Sequence, residues 1–311
     1  MAYRLALGSV LLAGLAACTQ HPAPAASTTP AAPPAPGSAP APALAGTGPR
    51  IVMSPDYVHI EYRLYGQGEP AVLLVHGWAG DADYWHAQIE PLAAHYTVVA
   101  MNLAGHGASG ANRTDWSIAR YAQDVAAVAR DIPNRQIVLV GHAMGAAVVL
   151  AATPLIGSRV TGIVAVEALR SVGLPPLPAR SIEQQVAPFR ADFIGATRAL
   201  VADALFPKGA DHVLVQKVAY DMSLEPPAVA VPSMQALLAM DFAPLLAAVH
   251  VPVYAINSDL MPTDSARIRK SLPDFTLDTV GHSDFPMLET PERFNPVLLK
   301  DIAALAARAP H

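Results

Sequence analysis

The sequence contains little cysteine and little charge. A single cysteine occurs among 311 residues, and charged side chains make up only 14% of the chain. One cysteine cannot form a disulfide within the chain. The formal net charge is −5 and no cluster of basic residues stands out, which argues against a nucleic-acid partner. Beyond the N-terminus no apolar run is long enough to span a bilayer. These absences exclude disulfide scaffolds, nucleic-acid-binding modules and multispanning membrane proteins.

The first 17 residues have the form of a bacterial lipoprotein signal peptide. Arg4 supplies a positive charge, residues 5–15 form an apolar stretch too short for an ordinary transmembrane helix, and Leu15-Ala16-Ala17 precedes Cys18. This pattern resembles a lipobox, in which the cysteine is lipidated and becomes the mature N-terminus. The resemblance implies a lipid anchor on Cys18 and a location in the bacterial cell envelope, at the outer membrane or periplasm in a Gram-negative source. Ordinary signal cleavage beside an unmodified cysteine is the alternative.

Residues 18–50 consist largely of proline, alanine, serine and threonine and contain no aromatic residue. Such a segment has too little apolar surface to offset the entropy lost on ordering, and its prolines favour extended polyproline II. We therefore predict a disordered tether that holds a folded domain, beginning at residue 51, away from a lipid surface.

Short apolar runs alternate with helical patterns from residue 51 onward. Predicted strands lie at 57–65, 71–75, 97–101, 136–140, 162–166, 251–256 and 277–280, and predicted helices lie at 85–95, 118–131 and 146–153. Strands that alternate with helices predict a mostly parallel sheet covered on both faces. The sequence therefore predicts an α/β fold with functional sites at the carboxyl ends of the strands.

The alternation stops between residues 168 and 244. Helical patterns at 181–204, 210–222 and 228–240 fill this stretch. We predict that it is a helical cap inserted into an α/β core formed by residues 51–167 and 245–311. Large apolar side chains of the cap are candidates for a pocket roof, although such residues at helical spacing more often pack in a core. They are Phe189, Phe193, Phe206, Met222, Met234 and Met240.

The pentapeptide Gly141-His142-Ala143-Met144-Gly145 has the form of a nucleophile elbow, G-x-S-x-G, with alanine in place of the central serine. It lies between a predicted strand and a predicted helix. Gly141 and Gly145 lack a Cβ, so strand and helix can pack closely around a turn residue that is expected at positive φ. An alanine methyl cannot attack a carbonyl. The chain is therefore either a disabled serine hydrolase or a protein that works without the serine, unless this is an ordinary glycine-alanine turn.

Three further motifs accompany the elbow: His76-Gly77-Trp78, the run Gly-His-Gly-Ala-Ser-Gly at 105–110, and Gly281-His282. Together, in this order, the four motifs resemble the capped α/β-hydrolase fold family, which includes carboxylesterases and carbon-carbon bond hydrolases. The resemblance implies an α/β-hydrolase fold with acyl-transfer chemistry. Asn102 departs from the family, which more often has aspartate there, and we attach little mechanistic weight to it.

The resemblance assigns roles to two backbone amides and one histidine. Acyl transfer needs two N–H donors aimed at the developing oxyanion, and in this fold they belong to the residue after the nucleophile and to the loop after an early strand. Those residues are Met144 and Trp78, whose side chains are also candidates for the pocket wall. His282 lies in a late loop that leads into the last helix and matches the family's catalytic histidine. The histidines of the other motifs are interpreted as loop-stabilising.

The acid that orients His282 is expected just after the preceding strand. Asp259 is our first choice, because a carboxylate there would hold the imidazole in one tautomer. Its turn is shorter than the commonest family pattern, so Asp264 is a rival. Glu167 is a second rival, because it ends a predicted strand and some family members carry the acid there.

No metal or cofactor motif accompanies these residues. The sequence has no HExxH pattern and no paired cysteines, so we expect neither a metal nor another cofactor. The expected partner is a small acyl substrate with a partly apolar acyl or alkyl group. Its expected contacts are Trp78, Met144, Phe189 and Phe193.

Three functional hypotheses follow from this pattern. The first is a serine hydrolase of carboxylic esters or related acyl bonds whose nucleophile has been replaced by Ala143, by nature or by design, leaving an inactive, substrate-trapping form. The second is a natural non-catalytic lipoprotein that captures a ligand in the same pocket. In the third, His282 acts directly as a general base without a serine.

Overall fold

A computed structural model of the protein describes residues 48–308, which contain an eight-stranded sheet in the order β1-β2-β4-β3-β5-β6-β7-β8. The pairs β1/β2 and β2/β4 are antiparallel and the other five pairs are parallel. The strands are β1 Arg50–Met53, β2 His59–Tyr65, β3 Ala71–Val75, β4 Thr97–Met101, β5 Ile137–His142, β6 Val160–Val166, β7 Val253–Asn257 and β8 Thr276–Thr279. The signal peptide, Cys18 and nearly all of the predicted tether lie outside the described residues.

Helices cover both faces of the sheet and fill the chain between β6 and β7. They are α1 His86–Ala93, α2 Ile118–Asp131, α3 Met144–Ile156, α4 Ala179–Ala191, α5 Phe193–Leu200, α6 His212–Ser223, α7 Pro227–Leu238, α8 Phe242–Ala247, α9 Ser265–Ile268, α10 Pro286–Glu289 and α11 Pro291–Ala306. Short 3₁₀ turns lie at Ala82–Trp85 and Gly157–Arg159, and a π-helix at Val201–Leu205. None of the helices within residues 48–308 combines the length and apolar character needed to cross a membrane.

The hydrophobic core has two layers, one on each face of the sheet. In β3, Leu73 packs with α2 and α3, whereas Val72 and Leu74 pack with α1 and α11. All three side chains are fully buried. Successive strand residues point to opposite faces, so a continuous apolar run is what a strand covered on both sides requires. The predicted α/β fold is confirmed.

Several predicted elements match the structure, and the differences have local causes. The predicted elements at 71–75, 97–101 and 118–131 coincide with β3, β4 and α2. The predicted helix at 181–204 is divided, because Asp192 has an extended φ of −148° and its side chain accepts a hydrogen bond from Gly195 N–H, which starts α5.

The helices between β6 and β7 have a small core of their own. It contains the buried residues Ile182, Val186, Phe189, Phe193, Ala230 and Val231. Trp78, in the loop after β3, packs against this cluster. The region predicted as a cap therefore meets the α/β core next to the end of β3.

Candidate active site

Ala143 occupies the sharp turn between β5 and α3, with φ 47° and ψ −111°. Its N–H donates to the carbonyl of Val166, at the end of β6 (2.9 Å). An added Cβ at Gly145 would collide with the carbonyl oxygens of Val75 and His76, so only glycine fits there. The close approach of α3 to β3 thus holds Ala143 in a conformation that L-residues rarely adopt.

The amides of Trp78 and Met144 lie at the two segments next to Ala143. Met144 is the first residue of α3, and a Cβ built on Gly77 would lie 3.3 Å from the Ala143 Cβ, which places the Trp78 loop beside the elbow. Among residues 48–308 neither amide N–H has a hydrogen-bond acceptor. Both donors are therefore unpaired within the described part of the chain.

His76 holds the loop that carries Trp78. Its Nδ1 donates to the Gly77 carbonyl (2.8 Å), and its Nε2 accepts from Leu103 N–H (3.0 Å). Complete burial, with a further contribution from the nearby His106, keeps the pKa of His76 well below its usual value. A neutral imidazole is what these two bonds require, in keeping with its interpretation as a loop-stabilising residue.

His282 and Asp259 form a hydrogen-bonded pair, with 2.8 Å between Nδ1 and Oδ1. Asp259 follows the end of β7, His282 follows β8, and Asp259 N–H donates to the carbonyl of Gly281 (3.3 Å). The two side chains are 55% and 58% exposed. They line a cavity of about 470 Å³ together with Leu260, Glu289 and the segment 207–210.

The rival acids are engaged elsewhere. Asp264 accepts a hydrogen bond from Arg267 N–H at the start of α9 (2.9 Å). Glu167 forms an ion pair with Arg170 (2.7 Å) and accepts a hydrogen bond from the N–H of Ser258. Within residues 48–308, Asp259 is the one carboxylate of these three that contacts the His282 ring.

A second histidine connects the elbow with the loop of His282. His142 Nε2 donates to the main-chain carbonyl of Asp284 (2.7 Å). Burial lowers the pKa of His142 to about 4, although the bond to Asp284 opposes the shift. The buried carboxyl of Asp284 has a pKa well above its usual value, because of burial and then the charge of Glu167. Asp284 belongs to none of the sequence motifs, and nothing in the sequence marks this contact.

The predicted substrate contacts pack mainly against one another. The Trp78 ring meets Phe189 edge-on at 5.6 Å and Phe193 at 6.1 Å between centroids, and its Nε1 donates to the Ala230 carbonyl in α7 (2.7 Å). Phe189 is fully buried and Phe193 is 6% exposed. The Met144 side chain is also fully buried. Their contact with a substrate stays a prediction.

The other roof candidates are divided between several parts of the core. Phe206 stacks on Phe285 at 5.5 Å, and Met222 belongs to the same core layer. Met234 packs against the small cap core, whereas Met240 packs against the layer of α2 and α3. These side chains pack in three different clusters and do not form one shared roof over a pocket.

Comparison with known proteins identifies the family. Residues 70–245, more than half of the chain, match the model of the alpha/beta hydrolase fold family. The chain belongs to this family. Curated relatives match only in part: a dihydrolipoyllysine-residue acetyltransferase component of an acetoin cleaving system from Cupriavidus necator is 38% identical over 93 residues, and a non-heme chloroperoxidase from Kitasatospora aureofaciens is 33% identical over 96. Each match covers 30% of this chain, and 25% and 34% of the relative, respectively.

Solved structures match over a larger part of this α/β hydrolase. An esterase from Exiguobacterium antarcticum has a TM-score of 0.73 at 17% identity, covering 81% of this chain and 98% of that one. A bromoperoxidase from Bacillus anthracis has a TM-score of 0.70 at 16% identity, covering 82% and 100%. At these identities the likeness shows a shared fold. An esterase from Rhodococcus sp. ECU1013 is 25% identical, with a TM-score of 0.67 and coverage of 83% and 100%.

Proposed function

We propose that this α/β hydrolase is a serine-type hydrolase of carboxylic esters or related acyl bonds in which Ala143 occupies the nucleophile position. The observation that carries the proposal is the backbone of Ala143, which keeps the positive φ of an elbow although glycine would relieve the strain. The His282–Asp259 pair supports it, because a serine at the elbow needs a base held in one tautomer.

The mechanism proposed for the serine-bearing form is two-step acyl transfer. The hydroxyl attacks the carbonyl while His282 Nε2 accepts its proton, and Asp259 holds the Nδ1–H tautomer. The amides of Trp78 and Met144 stabilise the oxyanion. His282 then protonates the leaving group, and water releases the acyl group. With Ala143 the first step fails, and the rate falls by about a millionfold by analogy with serine proteases.

Substrate binding survives in this proposal. Alanine differs from serine by one oxygen, so the pocket keeps its shape and the chain traps a small acyl substrate without turnover. The esterases among the structures of similar fold support an ester as substrate. Neither a metal nor another cofactor has a part in this mechanism.

The test is the substitution Ala143→Ser in the full chain. We expect hydrolysis of p-nitrophenyl esters to appear, measured by nitrophenolate release over short and medium acyl lengths. Ala143→Gly is the matched control, because it changes the same position without supplying a nucleophile, and Ala143→Ser with His282→Ala should abolish the gained activity. A folded Ala143→Ser protein that hydrolyses none of the esters contradicts the proposal.

A second candidate is a serine-independent enzyme. The pair His282–Asp259 is present although the chain has no serine at the elbow, and a histidine held by a carboxylate can activate water directly. Activity of the unmodified chain that is lost in His282→Ala is its required signature, and an inert unmodified chain excludes it. Ligand binding that is indifferent to His282→Ala, with no turnover in Ala143→Ser, would instead identify a non-catalytic binding lipoprotein.

We also propose that a lipid on Cys18 anchors the protein in the bacterial envelope. The support is the pattern of the first 18 residues. In a bacterial host, labelled palmitate should be incorporated into the full chain and not into Cys18→Ala, which should also lose its membrane association. Equal labelling of both would refute the anchor.

A further inference from the structure

We propose that Glu289 is a positioning residue for His282, an inference that rests on the proposed function. Glu289 ends the short helix α10, seven residues after the histidine. Its Oε2 accepts hydrogen bonds from His282 N–H (2.8 Å), Ser283 N–H (3.0 Å) and Ser283 Oγ (2.9 Å). A carboxylate oxygen with three donors from two adjacent residues fixes the path of that backbone.

Packing alone does not hold His282. More than half of its side chain is exposed, so the surrounding core leaves the ring free to rotate about its two side-chain torsions. Asp259 holds the ring at Nδ1, and Glu289 holds the main chain from which the ring projects. Two carboxylates thus define the direction of Nε2, one at each end of the residue.

Gly281 makes room for this arrangement. A Cβ at Gly281 would lie 2.9 Å from Glu289 Oε2, and its φ is 79°, which favours glycine. The Gly281 carbonyl also accepts from Asp259 N–H (3.3 Å). Because residue 281 is a glycine, Asp259 and Glu289 can both form hydrogen bonds with the segment 281–283.

The path of the chain brings Glu289 back to the histidine. Pro286 starts α10 directly after Phe285, and Glu289 N–H donates to the Phe285 carbonyl (2.9 Å), which closes a single helical turn. This turn reverses the chain and returns the Glu289 carboxylate to His282. Glu289 also lines the cavity that contains His282 and Asp259.

The kinetic test uses the Ala143→Ser background and Glu289→Ala. We expect kcat to fall by about 10²-fold with little change in KM, because a small misplacement of a catalytic group slows chemistry more than binding. Glu289→Gln keeps an acceptor oxygen and should recover part of the loss. Glu292→Ala is the matched control: Glu292 is exposed, lies three residues further on, and its side chain has no hydrogen bond or ion pair within residues 48–308. Its kcat should stay within about twofold of the background.

A spectroscopic readout needs no hydrolysis. In the unmodified chain, imidazole ¹⁵N shifts of His282 should report the Nδ1–H tautomer, and Glu289→Ala should shift the population toward the other tautomer while Glu292→Ala leaves it unchanged. If Ala143→Ser is inactive but the tautomer responds to Glu289→Ala, the positioning role stands and the proposed hydrolase function falls. If Ala143→Ser is active and folded Glu289→Ala changes neither kcat nor the tautomer, the positioning role is overturned. Should Glu289→Ala fail to fold, Glu289→Gln decides by the same two readouts.

Discussion

Backbone atoms enclose the elbow around Ala143, whereas His282 and Asp259 each expose more than half of their side chains. At the elbow the position of one residue is set by two glycines and by the contact of α3 with β3. At the histidine the position is set by polar contacts that water can compete for. The elbow geometry therefore depends on the backbone and not on a side-chain oxygen at position 143, while the geometry of the pair depends on individual carboxylates.

The largest effect is expected from closing the space at the elbow. Gly145→Ala should destabilise the protein by about 4 kcal/mol, because its Cβ would collide with main-chain oxygens that cannot move aside. Gly157→Ala, at the other end of α3, is the control: its φ of 77° and ψ of −143° are strained for alanine, but no atom lies within 4 Å of the added Cβ, so about 2 kcal/mol is expected. Urea unfolding measures both, and equal effects would contradict tight enclosure.

The buried histidine beside Ala143 should make stability depend on pH. Because the folded pKa of His142 is about 4, the unfolded chain binds its proton first as pH falls below about 6.5. The contribution of His142 to stability is fully present above pH 6.5, and it falls by on the order of 3 kcal/mol between pH 6.5 and pH 4.

The substitution His142→Gln separates the contribution of His142 from that of the buried carboxyl groups. The titration of those carboxyl groups changes the stability in the opposite direction as pH falls. Glu225, for example, has a pKa raised to about 8 by burial, so its share of the stability is lost as pH rises. The difference in unfolding free energy between parent and variant should shrink as pH falls from 7 to 4. A difference that is constant with pH would contradict a neutral His142.

The change in stability from relieving backbone strain at the elbow should be smaller than the two effects above. Ala143→Gly removes the Cβ from a residue with φ 47° and should stabilise the protein by about 1 kcal/mol, after the greater flexibility of glycine in the unfolded chain is deducted. Thermal unfolding gives the readout, with Ala146→Gly inside α3 as a control that should destabilise instead. A less stable Ala143→Gly protein would show that the turn carries no strain.

The smallest change in stability is expected where the side chains are exposed. Asp259→Asn should alter the unfolding free energy by less than about 1 kcal/mol, because polar contacts between solvent-exposed side chains contribute little. In the Ala143→Ser background the same change should lower kcat by about 10⁴-fold, since an amide no longer holds the required tautomer. If Asp259→Asn lowered the unfolding free energy and left kcat unchanged, the pair would contribute to stability and not to catalysis, which contradicts this difference between the two regions.

The fold could be predicted because it depends on local patterns. Continuous apolar runs marked β3 and β4, and the two glycines of the elbow marked the turn. The acid stayed open between Asp259, Asp264 and Glu167, because all three follow strands, and only the three-dimensional arrangement pairs Asp259 with His282. Contacts between residues distant in sequence leave no periodic signal.

The cap was harder to interpret for a related reason. An aromatic residue at helical spacing looks the same whether it faces a ligand or another helix. Phe189 and Phe193 face the Trp78 ring, a contact between segments more than a hundred residues apart in sequence. Glu289 was missed because two of its three donors are main-chain N–H groups, which every sequence contains, and the third is the hydroxyl of Ser283, which belongs to no motif.

The hydrogen bond from the Trp78 indole to Ala230 has a mechanical consequence. The residue that offers its amide to the proposed oxyanion is fastened through its side chain to α7 of the cap. A ligand that moves α7 outward must break this bond or pull the amide with it. In the proposed mechanism, a substitution in α7 that breaks this bond should therefore change the rate of reaction as well as the affinity for substrate.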